Sequence, residues 1–442
     1  MKFNKRFRTA LAAATSLAIS FGAIACSRDY TVAYVFSTSA SNGTISSYAV
    51  DYQSGELTQV SGSPFTGQVG NNPVTLVAAP NQKFIYVIGG TQSSTVEEMA
   101  VGTDGKLYGQ NTYNLASGDT YATAAAIDPV GKFLYVTFTY ISPYGPGNLG
   151  RGGISVFPIN SDNSLGSPTT VAVGNNPVAI AVSPQDCALT AAAGTGQQSC
   201  TPVTGGGTGF VNSFVYVVDQ EDVTGDTTPP HILGFAQNTS TGALTLLSGN
   251  TCTTTGTSTA CTGFASGVTP SSIAIDPTGR FVYVTDRTSN QVIGYSISLS
   301  NGVGTGTNNG ALTPLVSSPY TTGLYPVAIT IEPRGKYVYT ANYNSNTVSA
   351  FAINTATGSL SGAGQAGNFT TSTGPTCVTV DPAIGIYLYT SNYLDASISA
   401  AQLSPNTGNL TAVANTPFPS GSLPSCVVSV SNGSHASSIV NP

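Results

Sequence analysis

Four carboxylates crowd one short segment of a chain that is otherwise poor in charge. Asp219, Glu221, Asp222 and Asp226 fall within eight positions, although only 7% of the 442 residues are charged. Hard cations prefer several carboxylate and carbonyl oxygens, so this segment is a candidate calcium site, and apart from this possible calcium no cofactor is predicted. The spacing Asp-x-Glu-Asp-x-x-x-Asp differs from that of an EF-hand loop, so a solvated acidic loop is the preferred interpretation.

Three ionisable side chains, one inside this segment, one just after it and one in the next predicted blade, have the chemistry of a general acid and base. His231 is one of two histidines in the chain, and Asp286 follows a predicted strand. A carboxylate and an imidazole that reach the same water can exchange protons with a reacting group. We therefore predict Asp286, Glu221 and His231 as candidate catalytic residues. The alternative for His231 is a hydrogen-bonding role, because it follows Pro229-Pro230 at the start of a strand.

A second set of polar and aromatic side chains lies in loops between predicted strands. Aromatic rings stack against sugars and peptides, while amides and guanidinium groups donate hydrogen bonds to them. These residues predict a surface for a small molecule, a carbohydrate or a protein; the alternative is that the tyrosines only cover loop backbone. The candidate ligand-binding residues are Arg151, Arg287, Asn342, Tyr343, Asn392 and Tyr393.

All of these residues are carried by a repeated unit of short strands, which is clearest from Thr269 to Ile297. There, two short apolar runs flank Asp276-Pro277-Thr278-Gly279, a turn sequence because Pro presets φ and Gly accepts positive φ, and a third run follows. A tyrosine in the second strand marks every copy, at spacings of 49 to 81 residues. These tyrosines are Tyr34, Tyr86, Tyr135, Tyr216, Tyr283, Tyr339 and Tyr389.

A repeat of about 50 residues with four strands per copy is typical of a β-propeller, whose small sheets bury their faces against their neighbours. We therefore predict an all-β fold, a single seven-bladed β-propeller of four-stranded blades, with the tyrosines packed between blades. The first copy lacks its opening strand, and the segment from Leu423 to Val430 matches the opening strand of the last copy. The C-terminal strand is thus predicted to complete the first blade and close the ring.

This geometry brings the candidate residues to one end of the ring. If the first strand of each blade descends along the central channel, its start and the loop between strands two and three share one face. The acidic segment, Asp286 and the loop tyrosines are then expected at a common mouth.

The N-terminus has the pattern of an export signal. Residues 2–8 are basic, residues 9–25 are uncharged and largely apolar, and Ala23-Ile24-Ala25 precedes Cys26. This end resembles a bacterial lipoprotein signal, which implies acylation of the Cys26 thiol; Ala23, where Leu is usual, leaves ordinary secretion open. Ser27 in place of Asp implies the outer membrane. The predicted organisation is a signal peptide at 1–25, an anchor and tether at 26–32, the propeller at 33–430 and a flexible tail at 431–442.

The six other cysteines fit an oxidising compartment. Four are close in sequence, and two occupy equivalent positions in the opening strands of neighbouring blades; for these two, buried free thiols are the alternative. Their spacings do not fit a zinc site. The predicted disulfides are Cys187 with Cys200, Cys252 with Cys261, and Cys377 with Cys426.

The charge balance argues against one class of partner. The formal net charge is −6, so non-specific nucleic-acid binding is not expected. We predict a monomer whose only contact with a membrane is the lipid anchor.

Two repeated motifs carry a resemblance to a known family. Pro-x-x-(Ile/Val)-x-(Ile/Val)-x-Pro-x-Gly, with Tyr-Val-Thr-Asp or Tyr-Thr-Ala-Asn, resembles the Tyr-Val-Thr-Asn repeat proteins and, more closely, the lactonase family, the seven-bladed relatives of 6-phosphogluconolactonase and carboxymuconate cyclase. The resemblance covers roughly residues 33–430 and implies the same propeller.

The resemblance is weaker at the positions that do chemistry. Lactonases place a Gly-Pro-Arg-His strand start opposite a glutamate at the channel mouth, and the matching positions here are Thr269-Pro270-Ser271-Ser272 and Asp286. A second family histidine is absent from Pro177-Val178-Ala179-Ile180. The leading hypothesis is therefore a lipid-anchored envelope propeller that binds a ligand or partner through a degenerate lactonase site. The alternatives are a lactone hydrolase or cyclase with a rearranged site, and a structural component of an envelope assembly.

Overall fold

The computed structural model describes residues 30–65, 72–116, 118–184, 187–190, 199–202, 213–220, 229–255, 258–298, 310–363 and 368–433. The regular structure in these ranges consists of 36 β-strands. No helix in the described part of the chain is long and apolar enough to cross a membrane. In chain order the strands are β1 (Thr31–Ser39), β2 (Thr44–Asp51), β3 (Leu57–Gln59), β4 (Pro73–Ala78), β5 (Phe84–Gly89), β6 (Thr95–Val101), β7 (Leu107–Asn114), β8 (Thr120–Ile127), β9 (Phe133–Tyr140), β10 (Gly153–Pro158), β11 (Thr169–Ala172), β12 (Pro177–Val182), β13 (Cys187–Thr190), β14 (Ser199–Pro202), β15 (Ser213–Asp219), β16 (His231–Gln237), β17 (Leu244–Leu246), β18 (Thr251–Thr255), β19 (Ser258–Thr262), β20 (Phe264–Ala265), β21 (Pro270–Ile275), β22 (Phe281–Asp286), β23 (Gln291–Ile297), β24 (Leu312–Pro314), β25 (Tyr320–Thr321), β26 (Pro326–Ile331), β27 (Tyr337–Asn342), β28 (Thr347–Ile353), β29 (Leu360–Gly362), β30 (Phe369–Thr370), β31 (Pro375–Val380), β32 (Tyr387–Asn392), β33 (Ser397–Leu403), β34 (Leu410–Ala412), β35 (Phe418–Pro419) and β36 (Pro424–Ser431).

Seven antiparallel sheets form the blades of a ring. From the inner strand outward they are β36-β1-β2-β3, β4-β5-β6-β7, β8-β9-β10-β11, β12-β15-β16-β17, β21-β22-β23-β24, β26-β27-β28-β29 and β31-β32-β33-β34. Each inner strand contacts the inner strands of both neighbouring blades, and β31 contacts β36 to complete the circle. The predicted seven-bladed propeller is confirmed. The two insertions, in blade 4 and before blade 5, contain the separate hairpins β13-β14 and β18-β19.

The C-terminal strand closes the ring as predicted. β36 pairs with β1 in antiparallel register, with Tyr34 opposite Val430 and Phe36 opposite Val428. The first blade is thus shared between the two ends of the described chain, and β1 has no open edge.

Two of the three predicted disulfides are present. Cys252–Cys261 joins opposite positions of the hairpin β18-β19. Cys377–Cys426 joins the inner strands β31 and β36, with the Cα atoms 4.9 Å apart. The side chains of Cys187 and Cys200 lie outside the described part of the structure, as does Cys26, so those assignments stay predictions.

The repeat tyrosines pack between blades and clamp each blade to the next. Tyr283 is fully buried, and its hydroxyl donates to the carbonyl oxygen of Gly358 in the following blade at 2.6 Å. Six of the seven repeat tyrosines donate in the same way to the turn before the outermost strand of the next blade. Burial raises the pKa of Tyr283, so the phenol stays a hydrogen-bond donor at physiological pH.

The turn that accepts the tyrosine's hydrogen bond contains a glycine, and the aromatic residue two places before the tyrosine explains why. Gly358 has φ +74°, and a Cβ built on it would lie 2.3 Å from Cδ1 of Phe281. No side chain fits between this ring and the turn, so the turn requires glycine both for its φ and for the close approach.

We expect Gly358→Ala to lower the free energy of unfolding by about 2 kcal/mol, because it combines a left-handed backbone with a steric clash. Gly362→Ala is the matched control, since a Cβ there has no heavy atom within 4 Å. Urea unfolding followed by circular dichroism measures both. If both variants lose the same free energy of unfolding, the close packing of Phe281 on Gly358 does not stabilise the contact between the blades.

Candidate functional site

The inner-strand starts and the loops between strands two and three meet at one end of the ring, as predicted. In blades 5, 6 and 7 the first residue of the inner strand lies opposite the last residue of the second strand: Pro270 opposite Asp286, Pro326 opposite Asn342, and Pro375 opposite Asn392. We call this end of the ring the mouth.

A continuous surface of aromatic, aliphatic and cationic side chains crosses blades 5 to 7 at the mouth. The guanidinium carbon of Arg287 lies 5.5 Å from the ring centroid of Tyr325, and the Tyr325 and Tyr343 centroids are 6.4 Å apart. Tyr343 and Leu394 both adjoin Gly374, where a Cβ would lie within 3.1 Å of each. Leu394 is 57% exposed. We call Arg287, Tyr325, Tyr343 and Leu394 the mouth rim.

Tyr325 adopts an unusual backbone to reach this position. Its φ is +60°, and its N–H donates to the side-chain oxygen of Asn290 in blade 5 at 2.7 Å. Gly374 occupies the equivalent place before blade 7, with φ +69°. Asn72 and Leu423, which precede the inner strands of two other blades, are left-handed as well, so this conformation belongs to the repeat and Tyr325 is the residue that places an aromatic ring there.

Arg287 has no acidic partner among the described residues. Its Nε atom is buried and has no hydrogen-bond acceptor among those residues, and its guanidinium group lies over the ring of Tyr325. A guanidinium group that lies on an aromatic ring and has no acidic partner in the described protein is suited to bind a carboxylate or phosphate.

Asp286, in contrast, uses its carboxylate for hydrogen bonds within the protein. Its buried carboxylate accepts hydrogen bonds from the backbone N–H groups of Val268 and Thr269, at 2.8 and 3.1 Å, and from the Ser289 hydroxyl at 2.7 Å. Burial alone would raise the pKa of Asp286, but these hydrogen bonds outweigh it and hold the pKa below its usual value. A carboxylate in this state is a weak base, and its observed role is to fix the loop that leads into blade 5.

The lowered pKa predicts a pH dependence. Asp286 stabilises the fold at pH values above its unfolded pKa of about 3.9, and this contribution disappears as the pH falls through the lower folded pKa. We therefore expect Asp286→Asn to destabilise the protein at pH 7 and progressively less below about pH 4. Urea unfolding at pH 7, 5 and 3 measures the difference. The control is Glu56→Gln, which alters a half-buried carboxylate that accepts one hydrogen bond, from the amide of Asn415; a pH-independent loss for Asp286→Asn would contradict the assignment.

Ser271, which replaces the arginine of the lactonase pattern, links two blades. Its hydroxyl donates to the carbonyl oxygen of Pro326 at 2.8 Å and lies 2.9 Å from the Thr285 hydroxyl. The hydroxyls of Thr376 and Ser425, at equivalent positions, donate to the next inner strand in the same way. This position therefore serves ring assembly in several blades.

Asn342 and Asn392 are buried inside their hairpins. The side-chain amide of Asn342 donates to Thr347 and Ser349 at 3.0 and 2.9 Å, and Asn392 makes the equivalent bonds in blade 7. The two asparagines hold the loops that carry Tyr343 and Tyr393. Their position gives no support to a direct contact with a ligand.

Of the four acids in the acidic segment, only Asp219 lies in the described part of the structure. Asp219 is buried, accepts a hydrogen bond from the N–H of Asn176 at 2.9 Å, and lies opposite His231 in the sheet. His231 is also buried, with Nδ1 3.2 Å from the oxygen of Pro229. Arg151 is half-buried in a loop of blade 3.

The other three acids, Glu221, Asp222 and Asp226, lie outside the described residues. Within the described ranges no three His, Cys, Asp or Glu residues are grouped to hold a metal ion. The calcium site and the acid–base role of Glu221 therefore stay predictions.

Sequence reasoning missed two residues of the mouth rim, Tyr325 and Leu394. Tyr325 directly precedes the repeat proline Pro326, at the position that is Gly374 in blade 7. A bulky residue where another copy has glycine is the signal that could have identified it.

Comparisons with known proteins agree on the fold. Residues 32–181 and 229–380 match the family described as lactonase, 7-bladed beta-propeller. A search among curated proteins found no match.

Several solved structures are similar over nearly the whole chain. A candidate 6-phosphogluconolactonase from Bacteroides uniformis is 18% identical, with a TM-score of 0.63 and coverage of 91% of this chain and 100% of that chain. The periplasmic gluconolactonase of Pseudomonas aeruginosa is 16% identical, with a TM-score of 0.62 and coverage of 91% and 99%. At these identities the likeness shows the fold. Because the family pattern matches more than half of its residues, the chain belongs to the lactonase family of seven-bladed β-propellers.

Proposed function

We propose that this protein binds a small anionic ligand, of the size of a sugar acid, at the mouth rim. The observation that carries the proposal is the guanidinium group of Arg287, which lies over the Tyr325 ring beside Tyr343 and has no acidic partner among the described residues. Arg287 supplies the charge that recognises a carboxylate or phosphate, and the two rings supply faces for a sugar.

The residues at the positions where lactonases do chemistry favour binding without hydrolysis, because their side chains are already hydrogen-bonded within the protein. A lactone hydrolase needs a base for water and donors for the developing oxyanion. Asp286 has a lowered pKa and is occupied by backbone N–H groups, and the Ser271 hydroxyl is bound to the next blade. Neither group is free to take a proton from water at neutral pH.

Arg287→Ala tests the proposal. Protein lacking residues 1–26 is titrated with D-gluconate, 6-phosphogluconate and D-glucose in a calorimeter. We expect an acidic sugar to bind more tightly than glucose. Arg287→Ala removes a charge-assisted hydrogen bond of about 2 kcal/mol and should raise Kd about 30-fold.

The control is Arg280→Ala, which removes the same charge at the opposite end of the ring. Its Kd should match that of the wild-type protein. Equal affinity of wild type and Arg287→Ala, or no binding of any acidic sugar, would contradict the proposal. Stable capture of an envelope protein in place of a sugar would support the structural alternative.

Lactone hydrolysis is the second candidate, and family membership supports it. It requires a base other than Asp286, and Glu221 is the candidate that the sequence offers. Turnover of glucono-δ-lactone that Glu221→Gln abolishes, with the fold intact, would favour the enzyme over the binding protein.

We also propose that the protein is exported and anchored in the outer membrane through an acylated Cys26. The support is the basic, apolar and small-residue pattern of residues 2–25 and the oxidised pairs Cys252–Cys261 and Cys377–Cys426. Intact mass of the purified full-length product tests acylation directly.

A further inference from the structure

We infer that the end of the ring opposite the mouth lies against the membrane, so that the mouth rim faces away from the lipid. This inference rests on the proposed acylation of Cys26. We call this opposite end the tether face, because the described chain enters the ring there. β1 begins on the tether face at Thr31, opposite Asp51, and ends at the mouth at Ser39, opposite Pro424.

The length of the chain before β1 decides the orientation. Five residue steps separate Cys26 from Thr31, and an extended chain covers at most about 18 Å in five steps. β1 itself has nine residues, which rise by about 26 Å from the tether face to the mouth. An extended stretch of five residues is too short to run back along β1, so an anchor on Cys26 cannot place the mouth face-down on the membrane, and the exposed residues beside the chain entry favour the tether face over the side of the ring.

The surface beside the chain entry suits the headgroup region of a bilayer. Tyr30 and Tyr52 are 44% and 47% exposed, and the N–H of Tyr52 donates to the oxygen of Tyr30 at 2.8 Å. Val130, in the turn between β8 and β9 at the same end of the ring, is 48% exposed. Tyrosine is enriched at membrane–water interfaces because its ring is apolar and its hydroxyl is polar.

Charge does not decide the orientation. The tether face carries the cations Lys83, Lys132, Arg280 and Lys336 together with carboxylates that include Asp51 and Asp162, and Lys106 there is paired with Asp104 at 2.8 Å. Attraction to anionic lipid is therefore not required, and the tether length carries the inference.

The absence of tryptophan from the sequence makes a clean test available. Full-length protein with its native N-terminal modification is reconstituted in phosphatidylethanolamine–phosphatidylglycerol vesicles that contain a dansyl-labelled headgroup. Single reporters are Tyr52→Trp on the tether face and Leu394→Trp at the mouth. We expect energy transfer from Tyr52→Trp to exceed that from Leu394→Trp several-fold. Val130→Trp is a second reporter for the tether face and should also exceed Leu394→Trp.

The same substitutions in protein lacking residues 1–26 should give no transfer. Equal transfer from both ends of the ring, or greater transfer from Leu394→Trp, would overturn the orientation. A product whose mass shows no acyl groups on Cys26 would overturn it as well. None of these results affects the ligand titration, because that experiment uses protein without the anchor.

Discussion

Replacing Cys377 and Cys426 together with serine is expected to lower the free energy of unfolding by about 4 kcal/mol. The two positions are 49 residues apart in sequence, and the chain-entropy account assigns about this value to a loop of that length. The bond also fastens β36 to the inner strand of the preceding blade. Its loss therefore weakens the contact on which closure of the ring depends.

The hairpin disulfide provides the control. Cys252 and Cys261 are separated by nine residues, so their replacement should cost about 2.5 kcal/mol on the same account. Urea unfolding followed by tyrosine fluorescence measures both double variants under oxidising conditions. A larger loss from the hairpin pair than from the inner-strand pair would show that the closing bond contributes little.

The fold was predictable because it is specified by repetition. A tyrosine recurring about every 50 residues locates the second strand of each blade, and each strand is short enough that only neighbouring blades can cover it. The closure of the ring was predicted from the similarity between the sequence around Val427 and the sequence around Val378, which forms the opening strand of the last blade. The disulfide between Cys377 and Cys426 followed from the same alignment of copies.

The site was less predictable because polar side chains at strand ends form hydrogen bonds with the protein's own loops as readily as with a ligand. Asp286, Asn342 and Asn392 occupy the predicted end of the ring, yet each is buried and bonds groups of its own loop or hairpin. Sequence position identifies the end of a strand but does not show whether its side chain faces solvent. Tyr325 reaches the mouth rim through a left-handed backbone, which the strand period does not encode.

We propose different roles for the two ends of the ring, ligand binding at the mouth rim and membrane contact at the tether face. The proposed ligand contacts come from loops whose backbone is fixed by the buried side chains of Asp286, Asn342 and Asn392. Substituting these three residues should therefore lower stability and affinity together, whereas Arg287→Ala should lower affinity alone. This separation distinguishes a residue that contacts the ligand from one that positions the surface.

Arg334→Ala is expected to lower the free energy of unfolding by about 3 kcal/mol, because it leaves a buried carboxylate without its cation. Arg334 and Glu332 lie in the turn between β26 and β27, with Nε and Oε2 2.7 Å apart and side chains only 3% and 0% exposed. Arg334 also donates to the carbonyl oxygen of Gly385 in blade 7 at 2.6 Å, so the pair joins two blades.

Arg280→Ala is the matched control, since Arg280 belongs to the corresponding turn of blade 5. Its guanidinium group donates a hydrogen bond to Thr278 and lies 5.0 Å from the ring centroid of Phe281. Because Arg280 is only half-buried, we expect these contacts to contribute less than about 1 kcal/mol to the free energy of unfolding. The double variant Glu332→Gln with Arg334→Met should recover part of the loss of Arg334→Ala, because it leaves no unpaired charge in the interior. If Arg334→Ala and Arg280→Ala unfold at the same urea concentration, the buried pair does not hold blades 6 and 7 together.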